Sequence, residues 1–129
     1  MNFYVSNIDE DTLANNYFRK VIVTSPNSQL VLMCLKPGED IGLEVHNHVD
    51  QFFRIEQGRG VAVLDGEEYP FETDFAFVVP AGTEHNVINA SDSEELKLYT
   101  IYSPANHPDG TVHKTKEEAD IAEQEKHHK

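Results

Sequence analysis

Between residues 19 and 102 the chain is cut into short β-rich runs by turn-forming residues, roughly every 8 to 12 positions. That punctuation limits the possible folds more than any other feature. "KVIVT" and "QLVLMCL" are separated by "SPNS", and "LEVH" and "QFFRIEQ" by "NHVD". "GVAVL" and "EEYPF" flank Asp65-Gly66, a pair suited to a type I′ hairpin turn. "FAFVV" ends at Pro80 and Gly82, and "HNVIN" and "LKLYTIY" are separated by the polar "ASDSEE". About eight short strands with such spacing predict an all-β antiparallel sandwich or small barrel. At 129 residues there is room for one core and not two, so a single domain over 1–129 is expected, with its barrel over about 19–102.

The ends read differently. Residues 1 to about 18 are polar and predict a short helix capped by Ser6 or Asn7. After "SPANHPDGTVH", the stretch "TKEEADIAEQEKHHK" predicts a C-terminal helix, with Thr115 and Glu118 as a capping box. Both ends carry much of the net charge of −13, which disfavours nucleic acid and anionic membrane surfaces as partners. No apolar run approaches the roughly 20 residues of a membrane span. The first residues show neither a basic start nor an apolar h-region. Cys34 lies in "LVLMCL" and is expected to be a buried small hydrophobe. A cytoplasmic setting is expected.

His46, His48, Gln51 and His85 are the residues that point to chemistry. His46 and His48 share a face if "EVHNH" is extended, and Gln51 lies on the strand running back. Imidazoles and an amide oxygen brought together by a hairpin can hold a divalent first-row metal. The same residues could equally be an exposed histidine pair and a histidine bonded to its own loop. Glu44 alternates with His46 and is the nearest general base. Tyr99 and Tyr102 lie on opposite faces of one strand, and Tyr99 is assigned with Glu44 to proton transfer. Arg54 faces away from Gln51 by parity. Phe53, Ile55, Val61, Val63, Phe77 and Val87 are expected to fill the interior. "HPDGTVH", with His107 and His113, is expected as a surface loop, the alternative being a lid across a barrel mouth. The terminal "KHHK" is expected to be a solvated tail.

The chain resembles a single-domain cupin over roughly residues 28 to 102. The second motif of that family runs Gly, five residues, Pro-x-Gly, two residues, His, three residues, Asn. Pro80, Gly82, His85 and Asn89 match it, and Asp74 stands where its glycine belongs. The first motif runs Gly, five residues, His-x-His, three or four residues, Glu, six residues, Gly. His46, His48 and Gly58 match, Gln51 stands in place of the glutamate, and Asp40 in place of the opening glycine. Only Val49 and Asp50 separate His48 from Gln51, one residue fewer than the family pattern, which puts His48 on or near the turn.

The resemblance implies a cupin double-stranded β-helix, a jelly-roll barrel with strand ends converging at one mouth. It implies a ligand set of His46, His48, Gln51 and His85 for one divalent ion (zinc, nickel, manganese or iron), and a homodimer. The activity it points to is an isomerase or lyase acting on a sugar-like or hydroxy-carbonyl small molecule. A non-haem metal dioxygenase and a non-catalytic ligand-binding domain are the alternatives. Gln51 in place of a carboxylate is expected to leave the site more positive, which favours Lewis-acid chemistry.

Overall fold

The computed structural model describes residues 3–127, with side chains through residue 125. The tail "KHHK" therefore lies outside the described side chains. After α1 (Ile8–Ala14) come β1 (Arg19–Thr24), β2 (Gln29–Leu35), β3 (Asp50–Gln57), β4 (Arg59–Leu64) and β5 (Glu67–Glu72). The remaining elements are β6 (Ala76–Val79), β7 (His85–Asn89), β8 (Leu96–Ser103), β9 (Val112–His113) and α2 (Lys116–His127). The strands form two antiparallel sheets, one of order β6-β3-β8-β2-β1-β9 and one of order β5-β4-β7. This is the expected jelly roll, closed sheet on sheet, with a short N-terminal segment and a C-terminal helix.

Local chemistry sets the turns. Asp65 and Gly66 both have positive φ, 49° and 83°, as a type I′ hairpin requires. Asn7 caps α1 by accepting from the Glu10 N–H. Thr115 Oγ1 accepts from the Glu118 N–H at 3.1 Å, while the Glu118 carboxylate accepts from Lys114 N–H, so the box closes one residue early. Two short segments differ from expectation. "LEVH" forms no strand: residues 40–46 run beside β7 with only the isolated bridges Asp40–Ile88 and Glu44–His85, because Gly42 at φ 112° breaks the ladder between them. Val112–His113 adds a two-residue strand to the edge of β1.

The core lies between the sheets and contains Met33, Leu35, Phe53, Ile55, Phe71 and Val87. Phe77 is half-buried against it, stacked on Phe53. Val61 and Val63 are not interior residues: in β4 the inward positions are Gly60 and Ala62, with the valines half-exposed on the other face. Gly60 fixes that choice of face. A Cβ there would collide with the Ile88 carbonyl oxygen and the Phe71 ring, so the small inward residue lets β7 and Phe71 approach. Cys34 is buried, and burial, with Glu95 nearby, pushes its thiol up to about 11. The outer face of β8 is covered by the N-terminal segment, where Lys97 donates to the carbonyls of Leu13 and Asn15. Among the described residues, no helix is long and apolar enough to cross a membrane.

Gly60→Ala should destabilise the fold by about 1–3 kcal/mol through overpacking. Urea unfolding would show the midpoint moving down with little change in slope.

Candidate metal centre

Glu44, His46 and His85 each offer one ligand atom to a common point, all within 4.8 Å of one another. Backbone pairing puts them there. Glu44 and His85 exchange two N–H···O bonds, both 2.9 Å, so their side chains leave the same face. His46 lies two residues on, and its carbonyl accepts from the Gly82 N–H at 2.9 Å. Gly82, at φ 86°, is the turn residue that allows this approach. The His46 and His85 rings stand 5.3 Å apart, tilted at 56°.

The tautomer of His85 is set by its partner. Its Nδ1 lies 2.9 Å from the Thr83 carbonyl, which can only accept. The proton therefore sits on Nδ1, and Nε2 keeps its lone pair, the arrangement usual for a ligating imidazole. His46 Nε2 is 2.8 Å from a Glu44 carboxylate oxygen, but the ring N–H direction does not fit a hydrogen bond, and Nε2 has no other partner. Two ligand-type atoms held this close suit a shared ion better than a directed bond. Burial alone would raise the Glu44 carboxyl. The His46 contact and the charges of His46, Arg19 and His85 outweigh it and hold the group below its usual range.

Gln51 is 3% exposed, and its side-chain Nε2 donates to Thr100 Oγ1 at 3.0 Å. Its Oε1 is buried without a partner. An orphaned buried carbonyl oxygen is costly. Gln51 neighbours Tyr102 across the β3–β8 ladder, and the Tyr102 ring meets His46 edge-on at 6.0 Å. The two imidazoles and the carboxylate of the cluster form a mixed donor set that fits a divalent cation.

A cupin domain model matches residues 31–102. This chain is a cupin. It is 52% identical over 126 residues to the uncharacterized protein YrkC of Bacillus subtilis (strain 168), covering 93% of this chain and 67% of that one. It is 50% identical over 112 residues to the uncharacterized protein L612 of Acanthamoeba polyphaga mimivirus, covering 84% and 70%. The crystal structure of BH2720 from Bacillus halodurans matches with a TM-score of 0.88 at 44% identity, over 92% of this chain and 93% of that one.

Within this cupin, the motif residues take distinct parts. Asp74 adopts φ 75°, the glycine-like conformation of the residue it replaces. Asn89 is buried and structural: its amide donates to the carbonyls of Leu35, Lys36 and Glu94. His48 is not brought to the cluster. The short connection makes Asn47–His48 the turn, and Asp50, which accepts from the Ala81 N–H, fixes the start of β3, leaving His48 exposed. Tyr99 is also elsewhere. It is on the outer face of β8 with Phe52, where burial and the Glu56 charge raise its pKa. Tyr102 is the inward tyrosine, 1% exposed. Arg54 sits on the outer face, paired with Glu56 and Asp74.

The loop after β8 is no simple surface loop. Gln29 Oε1 accepts from the N–H groups of Asn106 and His107, and its Nε2 donates to the His107 carbonyl. This draws His107 inward, with Nε2 3.3 Å from the Tyr102 hydroxyl and the rings edge-to-face at 5.2 Å. Burial, then the Arg19 charge, push His107 down to about 3, while burial pushes Tyr102 up. The phenol thus keeps its proton, and His107 accepts. Asn106, His107, Pro108 and His113 join Arg19, Glu44 and His46 around a cavity of about 780 Å³, with α2 along one side. Composition gave little sign of this role for Arg19. Its signal was strand parity, since Arg19 and Val21 are the buried positions of β1.

A histidine held neutral by the fold loses stability as pH falls. The unfolded chain binds a proton near 6.5 that folded His107 refuses until about 3. Unfolding free energy of chelator-treated protein should therefore decline from pH 6.5 toward 4.5, above the window of Glu44. His107→Gln should flatten that decline by up to about 1.4 kcal/mol per pH unit. Urea melts at pH 7 and 5 would measure it.

Proposed function

We propose that this cupin is a metal-dependent enzyme, an isomerase or lyase, acting on a small hydroxy-carbonyl or sugar-like molecule. One observation carries the proposal: Glu44 and His46, two members of the ligand cluster, are in the wall of a cavity large enough for such a molecule. Glu44, His46 and His85 would hold the ion, with the Gln51 oxygen as a further donor. A bound divalent ion (zinc, nickel, manganese or iron) supplies Lewis-acid polarisation of a carbonyl or hydroxyl oxygen. Glu44 contributes one oxygen to the cluster and keeps a second. Held below its usual pKa, it is ionised at neutral pH and able to accept a proton from a carbon beside a carbonyl. Thr100 Oγ1 accepts from Gln51 Nε2 and so holds the amide with its oxygen free, while Tyr102 beside it keeps its proton with His107 as acceptor. Gln29 holds the loop at residues 106–107 against that side of the cavity. A small-molecule substrate, a cytoplasmic setting and a homodimer belong to the same proposal, while the net charge of −13 argues against nucleic acid and anionic membranes.

A second reading is favoured by the composition of the cluster. Two histidines and one carboxylate are the donor types of non-haem ferrous oxygenases. Oxygen uptake by the iron-loaded protein with thiols, diketones and phenols would favour it, and no uptake would leave the isomerase or lyase.

Elemental analysis should find near-stoichiometric metal in a chain whose tail carries His127→Ala and His128→Ala, and its loss on adding His85→Ala. Glu44→Gln should lower turnover by on the order of 100-fold. Absence of metal after reconstitution, with no turnover of sugar phosphates or hydroxy acids, would sink the proposal.

A further inference from the structure

Arg19 is a buried charge that the metal centre does not use and, unlike Lys97, it stands at the cavity. It is 6% exposed, begins β1, and lines the same cavity as Glu44, His46 and His107. A guanidinium stays ionised when buried. An unpaired buried ion costs several kcal/mol, so such groups ordinarily have a carboxylate partner. Arg19 has none within ion-pair distance among the described residues. Its Nη1 donates to His113 Nδ1 at 3.2 Å, a neutral acceptor, and its Nε is buried without a partner. The guanidinium also lies 5.3 Å from the Phe18 ring centroid, which braces it without neutralising it.

Its charge is felt around the cavity. It helps lower the pKa values of Glu44, His107 and His113 and opposes the rise of Tyr102, groups contributed by the 40–46 segment, the 104–108 loop, β9 and β8. Arg19 lines the space these groups enclose, with its Nη1 on His113. Gln29 and the β1–β9 pairing of Arg19 with His113 hold that space in shape.

We propose that Arg19 is the binding site for a carboxylate on the substrate, so that the cavity takes a molecule with a metal-binding oxygen at one end and a single carboxylate at the other. The proposal rests on the metal-centre reading for the first end only. The charge class is set by the rest of the lining. Among the described residues the lining holds one guanidinium, and Asp120, Glu123 and Glu125 of α2 line the cavity as exposed carboxylates. A phosphate dianion would meet like charge there with that one described cation to offset it. A monoanion of planar shape matches the guanidinium fork and leaves no second charge unmet.

The test uses the full chain, both chelator-treated and zinc-loaded, with glycolate as probe and acetate, the neutral glycolamide and inorganic phosphate beside it. Calorimetric titration should show glycolate binding and no comparable binding of glycolamide. Arg19→Gln should weaken glycolate by on the order of tenfold or more, with Arg19→Lys between. Acetate binding to the chelator-treated protein should show the same dependence on residue 19. That arm stands even if elemental analysis finds no metal, so loss of the metal reading and loss of this proposal are separate results. Should Arg19→Gln fail to unfold cooperatively, the Nε–H resonance of Arg19 in the unaltered chain decides. A saturating shift with glycolate and none with glycolamide supports the proposal. Equal glycolate affinity in all three chains, no glycolate binding to the unaltered chain, or tighter binding of phosphate than of glycolate would each overturn it.

Discussion

Two hydrogen bonds between Glu44 and His85 are the constraint on which the functional part of this molecule depends. They belong to no ladder. Gly42, with φ 112°, interrupts the pairing on one side, and the Asn47–His48 turn ends it on the other. A single antiparallel pair that exchanges both bonds still fixes which way two side chains leave the backbone. Glu44 and His85 must then share a face, and His46 joins them by strand parity with its carbonyl tied to Gly82. The cluster is thus positioned by main chain, with His85 further held through Thr83. Side chains fixed in this way lose little freedom when an ion arrives, which is what an effective site requires.

The same logic explains the parts supplied by other elements. Gln51 comes from β3, whose register with β8 sets it opposite Tyr102. Tyr102 meets His107 only because Gln29, at the start of β2, satisfies both its carbonyl and its amide on the 106–107 backbone. Three strands and one loop are coupled through groups that would otherwise be buried and unmet. The arrangement is rigid because each polar member has a partner. Gln51 Oε1, His46 Nε2 and Arg19 Nε are exceptions, and of these residues His46 and Arg19 line the cavity.

What could be read from the sequence was what is locally encoded. The hairpin at Asp65-Gly66, the Asn7 cap and the turn at Pro80–Gly82 each depend on a few neighbouring residues, and each formed as expected. His85 could be placed because its motif spacing fixes its distance from that turn. Strand faces were harder wherever both faces are apolar. In β4 the valines looked like the core residues, but the close approach of Ile88 and Phe71 demands glycine on the inner face. Tyr99 and Tyr102 posed the same ambiguity, and only the pairing of β8 with β3 separates them. Arg19 and the His107 loop depend on contacts over 94 and 78 positions, to which periodicity is blind.

The motif's missing glutamate also has a structural answer. With Gln51 in its place the site looked short of negative charge. Glu44 restores one carboxylate from a different segment, two residues before His46 rather than three after His48. A carboxylate thus stands in the cluster although not at the motif position. This matters for the cavity beyond. Were Glu44 to hold a divalent ion, it would no longer be available to offset Arg19, and His107 adds no negative charge because burial keeps it neutral. The inner end of the cavity, around the ion and Arg19, would then be positive, while Asp120, Glu123 and Glu125 line it from α2 in a chain that carries −13 overall. At the low effective dielectric of a closed site such a field acts over several ångströms. It would favour a bound molecule that brings both an oxygen for the ion and a negative charge for the arginine.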